Sequence, residues 1–77
     1  MKDVVVQRVG MNIMSVNLLD WKKHEGGFVR KGEPLFIVES NIAITEFASL
    51  YEGNLNSILI SQGEVNIGDV IGIIDGK

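Results

Sequence analysis

The side chains of this chain that could do chemistry are few, and they do not form a catalytic set. The one histidine, His24, stands beside Glu25, and the chain contains no cysteine. Nucleophilic catalysis needs a nucleophile next to a base, and metal catalysis needs several converging ligands. Glu33 and Asp69 occupy matching positions of an internal repeat, so we expect them to lie too far apart for acid–base pairing. These residue types predict a domain that is not an enzyme.

The charge pattern disfavours two broad classes of partner. The 77 residues carry a net charge of −3, and the basic residues are scattered except for Lys22-Lys23 and Arg30-Lys31. A nucleic-acid surface would need a clustered basic face. The sequence also shows no apolar run of membrane-spanning length and no signal-peptide layout. We expect a single domain over residues 1–77, in the cytoplasm, without nucleic acid or membrane as a partner.

A short pattern occurs twice, and its copies define the organisation of the chain. Alignment of Gly26 with Gly63 also pairs Leu18 with Leu55, Trp21 with Ile58 and, after one dropped residue, Gly32 with Gly68. Such self-similarity predicts two related half-structures packed on each other, because one half could not bury its apolar face alone. Since Ile58 is apolar, Trp21 is interpreted as a packing residue rather than a ligand platform.

Short apolar stretches rich in β-branched residues alternate with glycine-centred breaks. They predict strands at residues 4–6, 16–21, 35–38, 43–47, 55–60 and 70–74. No window of about eleven residues shows a helical stripe. The fold class is therefore all-β, a sandwich or flattened barrel. Met11 and Met14, which flank this pattern near Gly10, are interpreted as core or rim filler.

A hairpin is predicted between the two copies, with Asn41-Ile42 as its two-residue tip. Glu39 would then face Ile44, Val38 would face Thr45 and Phe36 would face Phe47. Alternation places Phe36, Val38, Thr45 and Phe47 on one face, which is a reasonable core surface. Ile42 does not suit the tip, because a β-branched apolar side chain resists positive φ and, on an exposed turn, gains nothing from burial.

The order of these motifs resembles the biotinyl/lipoyl attachment domain family. The motifs are Trp21…Gly26-x-x-Val29-x-x-Gly32-x-x-Leu35, then Glu39-Ser40-Asn41-x-Ala43, then Gly53 and Gly63…Gly68. The lipoyl branch is the more similar, since its hairpin typically reads Glu-Thr/Ser-Asp-Lys-Ala. The biotinyl branch usually has methionines on both sides of its lysine. The resemblance covers about residues 4–75.

The resemblance implies a flattened β-barrel (a barrel-sandwich hybrid) of two antiparallel sheets with pseudo-twofold symmetry. In such domains the lysine at the hairpin tip carries lipoate in amide linkage. The lipoyl-lysine side chain forms a long arm that ferries acyl groups between enzyme active sites. The implied partners are a lipoate ligase and the enzymes of a 2-oxo acid or acetoin dehydrogenase-type complex. Glu39, Ser40, Asn41 and Ala43 would form the recognition hairpin, and Glu39 also has a simpler interpretation as a solvated strand-end charge.

The chain departs from the family pattern at the lysine position, where it has Ile42. An alkyl side chain has no nitrogen to acylate, so we expect no lipoate in this chain. One hypothesis is a swinging-arm carrier domain of an acyltransferase that cannot carry its cofactor. The other is a naturally unmodified barrel that acts as a protein-interaction or spacer module. Two origins of Ile42 stay open at this level: natural divergence, or a substitution that blocks modification.

Overall fold

Eight strands joined by short turns make up the computed structural model, which describes residues 1–76. No helix is present in that part of the chain, and the all-β prediction is confirmed. The strands are β1 (Lys2–Val5), β2 (Ser15–Trp21), β3 (Phe28–Val29), β4 (Pro34–Glu39), β5 (Ile44–Ala48), β6 (Gly53–Ile58), β7 (Gly63–Asn66) and β8 (Val70–Asp75).

The six predicted strands are all present, and their ends differ from the prediction by at most two residues. Two further strands, β3 and β7, were not predicted. β3 has only two residues, and β7 contains a single apolar residue, Val65, so neither has a local signal of its own. Each forms because a neighbouring strand supplies its hydrogen bonds: β6 for β3 and β2 for β7.

The strands form two antiparallel four-stranded sheets. The first has the order β1-β8-β6-β3 and contains both terminal strands, and the second has the order β5-β4-β2-β7 and carries the β4–β5 hairpin. Buried side chains from both sheets pack in one core between them. This is the flattened barrel-sandwich that was expected. The core residues are Val4, Val6, Val16, Leu18, Val29, Leu35, Phe36, Val38, Leu55, Val65, Ile71 and Ile74.

The two halves use the same turn chemistry before β4 and before β8. The backbone N–H of Arg30 donates to Glu33 Oε1 at 2.6 Å, and the backbone N–H of Asn66 donates to Asp69 Oδ2 at 2.9 Å. β4 and β8 also have the same sequence of buried and exposed positions. Glu33 and Asp69, which occupy matching positions of the repeat, are therefore equivalent turn residues, and the pseudo-twofold relation extends to hydrogen bonds.

Trp21 is a packing residue, as its position in the repeat predicted. Its ring lies 5.5 Å from that of Phe36, centroid to centroid, and its Nε1–H donates to the carbonyl oxygen of Ile60 at 2.9 Å. This hydrogen bond satisfies the one polar group of the indole, while most of the ring is shielded from solvent. It also ties the end of β2 to the loop between β6 and β7.

Candidate functional site

The β4–β5 hairpin has the predicted register. Glu39 pairs with Ile44, Val38 with Thr45 and Phe36 with Phe47. The backbone N–H of Ser40 donates to the carbonyl oxygen of Ala43 at 2.8 Å, which closes the hairpin around the two-residue tip Asn41-Ile42.

The Ser40 hydroxyl holds the tip in shape. Its Oγ accepts from the backbone N–H of Ile42 at 3.3 Å and of Ala43 at 3.2 Å, and it donates to the Ala43 carbonyl oxygen at 3.1 Å. A serine that caps its own turn in this way satisfies backbone groups that a tight connection leaves unpaired.

Ile42 sits in this turn without backbone strain. Every positive φ among the described residues belongs to a glycine. The turn therefore needs no left-handed residue, and the expectation that positive φ would make a β-branched side chain unsuitable here is wrong. A two-residue connection with negative φ at both positions accepts most residue types.

The Ile42 side chain points away from the sheet core and lies beside the loop between β1 and β2. It is 70% exposed. A β-carbon built on Gly10 of that loop would lie 3.7 Å from Cδ1 of Ile42, so tip and loop are neighbours. Met11 and Met14 in the same loop are 88% and 70% exposed. These exposures exclude the core alternative of their interpretation as core or rim filler and leave the rim alternative.

The residues at the tip do not fit an amide-linked lipoyl group. Ile42 ends in methyl groups, and its neighbours Asn41 and Ala43 offer no amine of the kind that a ligase acylates. The Lys22 backbone is paired with Leu35 at the other end of β4. Five residues of strand separate Leu35 from Ser40, which corresponds to about 17 Å. Lys22 therefore does not stand in for a lysine at the tip.

The predicted recognition residues lie together on the hairpin, and three of the four line a shallow polar groove. Glu39 and Ala43 are exposed, and Ser40 and Asn41 line the groove with Glu39. The opposite wall comes from Ser15 and Asn17 of β2 and Glu64 of β7. Ser15 donates to Glu64 Oε2 at 3.2 Å. The sequence motif did not identify this wall, because β2 and β7 come together only through sheet pairing.

The remaining candidate side chains have structural roles or are solvated. Glu25 accepts a hydrogen bond from the backbone N–H of Ile58 at 2.8 Å, while His24 is exposed. Lys23 forms an ion pair with Glu33 at 3.0 Å; this contact, followed by the hydrogen bond from the Arg30 backbone, lowers the pKa of the Glu33 carboxyl. Residues 1–76 contain neither a metal-binding cluster nor a helix suited to crossing a membrane.

The sequence comparisons point to one family. The family model described as "Biotin-requiring enzyme" matches residues 2–74. Component 3 of the Arabidopsis thaliana mitochondrial pyruvate dehydrogenase complex, a dihydrolipoyllysine-residue acetyltransferase, is 36% identical over 74 residues, which cover 87% of this chain and 14% of that protein. The chloroplastic component 4 is 27% identical over 74 residues and covers 95% of this chain and 15% of that protein.

The structural comparison shows the same fold. The lipoyl domain of the 2-oxoglutarate dehydrogenase complex from Azotobacter vinelandii has a TM-score of 0.76 and 21% identity to this chain, with 97% and 98% of the two chains covered. The chain spans about a seventh of the length of the curated relatives it matches (14% and 15%). Because the family model covers almost all of it, the chain belongs to the biotinyl/lipoyl attachment domain family.

Proposed function

We propose that this chain is a lipoyl-type carrier domain of a dihydrolipoyl acyltransferase component, and that its hairpin tip cannot carry lipoate. Family membership and the acetyltransferase relatives support the first part. The observation that carries the second part is Ile42, exposed at the tip of the β4–β5 hairpin. A carrier of this type needs an amine held clear of the surface, and the hairpin holds an alkyl group there instead.

The partners of the parent protein would be the enzymes of a 2-oxo acid dehydrogenase complex and, for a modifiable version, a lipoate ligase. The domain itself would supply presentation and recognition, while the chemistry would belong to the cofactor. A rigid scaffold suits this role, because the register of β4 and β5 and the Ser40 hydrogen bonds fix the position of the tip.

Lipoylation of the native chain and of its Ile42→Lys variant tests the proposal. Each protein is incubated with a lipoate ligase, ATP and lipoate, and the intact mass is measured. We expect no mass gain for the native chain and the gain of one lipoyl group for Ile42→Lys. The Asn41→Lys variant is the matched control, because it places an amine one residue away on the same turn and should be modified less.

The outcomes separate the two parts of the proposal. Modification of the native chain would mean that another lysine is acylated and that the tip does not decide the function. A folded Ile42→Lys variant that stays unmodified, while a lysine-bearing lipoyl domain is modified in parallel, would remove the carrier assignment. Circular dichroism of each variant shows whether it is folded.

A second candidate function is an unmodified protein-interaction module. The observation that favours it is the exposure of apolar side chains on the hairpin, Ile42 and Ile44, and on the loop between β1 and β2, Met11 and Met14. Single exposed apolar residues are ordinary on protein surfaces, whereas larger apolar patches mark contact sites, and the loop lies near the tip at Gly10 and Ile42. The two functions are compatible, because a domain that has lost its arm can keep a docking role in the same complex.

A further inference from the structure

A second groove of the domain is the repeat counterpart of the groove beside the hairpin. The repeat alignment pairs Asn17 with Asn54, and the first lines the hairpin groove while the second lines the other groove. Glu39 and Asp75, the last residues of β4 and β8, are related in the same way. We call the second groove the distal groove, and the side chains that distinguish it are Lys2, Phe28, Lys31, Leu50, Tyr51 and Glu52.

The distal groove lies at the end of the hairpin sheet that is remote from the tip. β5 runs away from the tip over five residues, which corresponds to about 17 Å. Leu50 and Tyr51 follow the end of β5 by two and three residues. A partner in the distal groove would therefore leave the hairpin tip and the loop between β1 and β2 uncovered.

The distal groove is apolar where its counterpart beside the hairpin is polar. Phe28, Leu50 and Tyr51 are 52%, 53% and 37% exposed, and all three line this one groove. An aromatic side chain has about 150–250 Å² of surface, so together they offer roughly 300 Å² to a partner. An apolar surface of this size with charged groups around it is typical of a contact site.

Exposed charged side chains of both signs line the distal groove. Among the described residues they are Lys2, Lys31, Glu52 and Asp75, whose formal charges cancel. Such a balance gives no attraction to a partner of one strong sign. It does complement itself, because a two-fold axis brings the same patch of both copies together and lets cations of one copy face anions of the other.

The charged and apolar groups alternate within the groove. Asn54 is the Cα partner of both Phe28 and Asp75, so these three residues form a row across β3, β6 and β8. On the other side of the groove, Lys2 Nζ lies 5.4 Å from the centroid of the Tyr51 ring. A carboxylate thus lies in line with one aromatic ring, and an ammonium group lies over the other.

We propose that the distal groove is a self-association surface and that its occupant is a second copy of this chain, bound about a two-fold axis. Phe28 and Leu50 of the two copies would pack together. The lysines of one groove would face the carboxylates of the other. The inference goes beyond the proposed function, and it holds whether or not the hairpin tip carries an arm.

The hairpin sheet is a poorer surface for a second copy. Its strands β2, β4, β5 and β7 contain four carboxylates and no lysine, arginine or histidine. Face-to-face contact of two such sheets would place like charges opposite one another, which opposes association. Charge complementarity therefore selects the distal groove for contact between copies.

The exposed area predicts a weak and reversible dimer. A stable interface of standard size buries about 800 Å² on each partner, and the three apolar side chains supply less than half of that. Association should therefore appear at high protein concentration and should reverse on dilution. Because the ion pairs across the axis would be exposed, it should also weaken as salt rises.

A dilution series of the isotope-labelled native chain tests the proposal. Amide shifts are followed from millimolar to low micromolar protein at low and at high salt, and sedimentation gives the mass of the species present. We expect concentration-dependent shifts at Phe28, Leu50, Tyr51 and Asn54, a dimer at the highest concentration, and no such shifts at Ile42.

Apolar substitutions locate the contact. The Phe28→Asn/Leu50→Asn variant should self-associate about tenfold more weakly or worse, because both anchors are removed. Ile44→Asn/Leu59→Asn is the matched control, since Ile44 and Leu59 are 65% and 55% exposed and do not line the distal groove. It should dimerise like the native chain. Circular dichroism shows that each variant is folded.

A charge exchange tests the two-fold arrangement. Lys2→Glu/Lys31→Glu leaves only carboxylates around the groove, and Glu52→Lys/Asp75→Lys leaves only lysines. Neither variant should self-associate, because like charges would meet across the axis. An equimolar mixture should form a heterodimer, detected as shifts of the labelled variant when the unlabelled one is added.

Four results would overturn the proposal. They are native shifts that do not depend on concentration, concentration-dependent shifts centred on the hairpin tip, unchanged association of Phe28→Asn/Leu50→Asn, and a mixture of the two charge variants that does not pair. Lipoylation of the native chain would contradict the proposed function without affecting any of these measurements.

Discussion

The six-membered ring of Trp21 lies directly against Gly72, so that a β-carbon added to Gly72 would be 2.7 Å from Cη2 of the indole. Trp21 belongs to the first half of the repeat and Gly72 to the second. Their counterparts are Ile58 and Phe36, which hold the same positions in the other half. The large Trp21 side chain of the first half therefore fits in the space that Gly72 of the second half leaves by having no side chain.

The Gly72→Ala substitution should destabilise the fold, because the new methyl group meets the Trp21 ring and the Ser57 carbonyl oxygen, the latter at 3.0 Å. Overpacking of this kind costs about 1–3 kcal/mol of unfolding free energy. Urea unfolding of four proteins measures it: native, Gly72→Ala, Trp21→Leu and the double variant. Gly72→Ala should lower the unfolding free energy less when residue 21 is leucine than when it is tryptophan. An equal loss in both backgrounds would show that residues 21 and 72 are not coupled.

Two glycines should respond differently to alanine. Gly26 has a φ of 91°, and a β-carbon added there would meet no atom within 4 Å. Gly26→Ala should therefore lower the unfolding free energy only by the cost of a left-handed backbone conformation, about 1–2 kcal/mol. A β-carbon on Gly53 would lie 2.6 Å from the Asp75 carbonyl oxygen, a backbone atom of the paired strand β8. Gly53→Ala should therefore be the more destabilising in urea unfolding, and the reverse order would contradict the close approach of β6 and β8.

Glu33 should make stability depend on pH on the acid side. The Lys23 ammonium, followed by the Arg30 backbone N–H, lowers the pKa of the Glu33 carboxyl below its ordinary value of 4.5 in the folded state. The stabilisation is therefore present above pH 4.5 and is lost as pH falls through the lowered folded pKa. Glu33→Gln should flatten the loss of stability in this range, as measured by thermal unfolding between neutral and acidic pH.

The Lys23→Gln variant separates the two contributions to Glu33. It removes the ion pair but keeps the hydrogen bond from the Arg30 backbone, so its pH dependence should lie between those of the native chain and Glu33→Gln. A Lys23→Gln profile identical to the native one would show that the exposed ion pair contributes nothing, as many surface pairs do.

Ser40→Ala should loosen the hairpin tip without unfolding the domain. Loss of the hydroxyl leaves the backbone N–H groups of Ile42 and Ala43 without their side-chain acceptor, at a cost of about 0.5–1.5 kcal/mol. Hydrogen exchange of these two amides should become faster, while Val38 in the core of β4 keeps its protection. Ser40→Thr retains a hydroxyl and should restore slow exchange; failure to do so would mean that the hydroxyl is not the group that holds the turn.

The hairpin shows how far local reasoning reaches in this protein. The alternation of apolar residues over β4 and β5 predicted the pairs Phe36–Phe47 and Val38–Thr45, and the structure contains both. The same reasoning was wrong about Ile42, because it assumed a turn that needs positive φ. Several turn types join two strands with two residues, and the residue types at the tip did not distinguish them.

Residue types and spacing by themselves determined the strand segments, the repeat, the hairpin register and the alkyl chemistry of Ile42 at its tip. These are local properties, since alternation, turn residues and side-chain composition act over a few positions of the chain. Tertiary structure alone decided the strand state of β3 and β7, the contact of Trp21 with Gly72 and the approach of the Gly10 loop to Ile42. Each of these depends on which distant surfaces meet when the two sheets pack, and short-range sequence patterns carry no information about that.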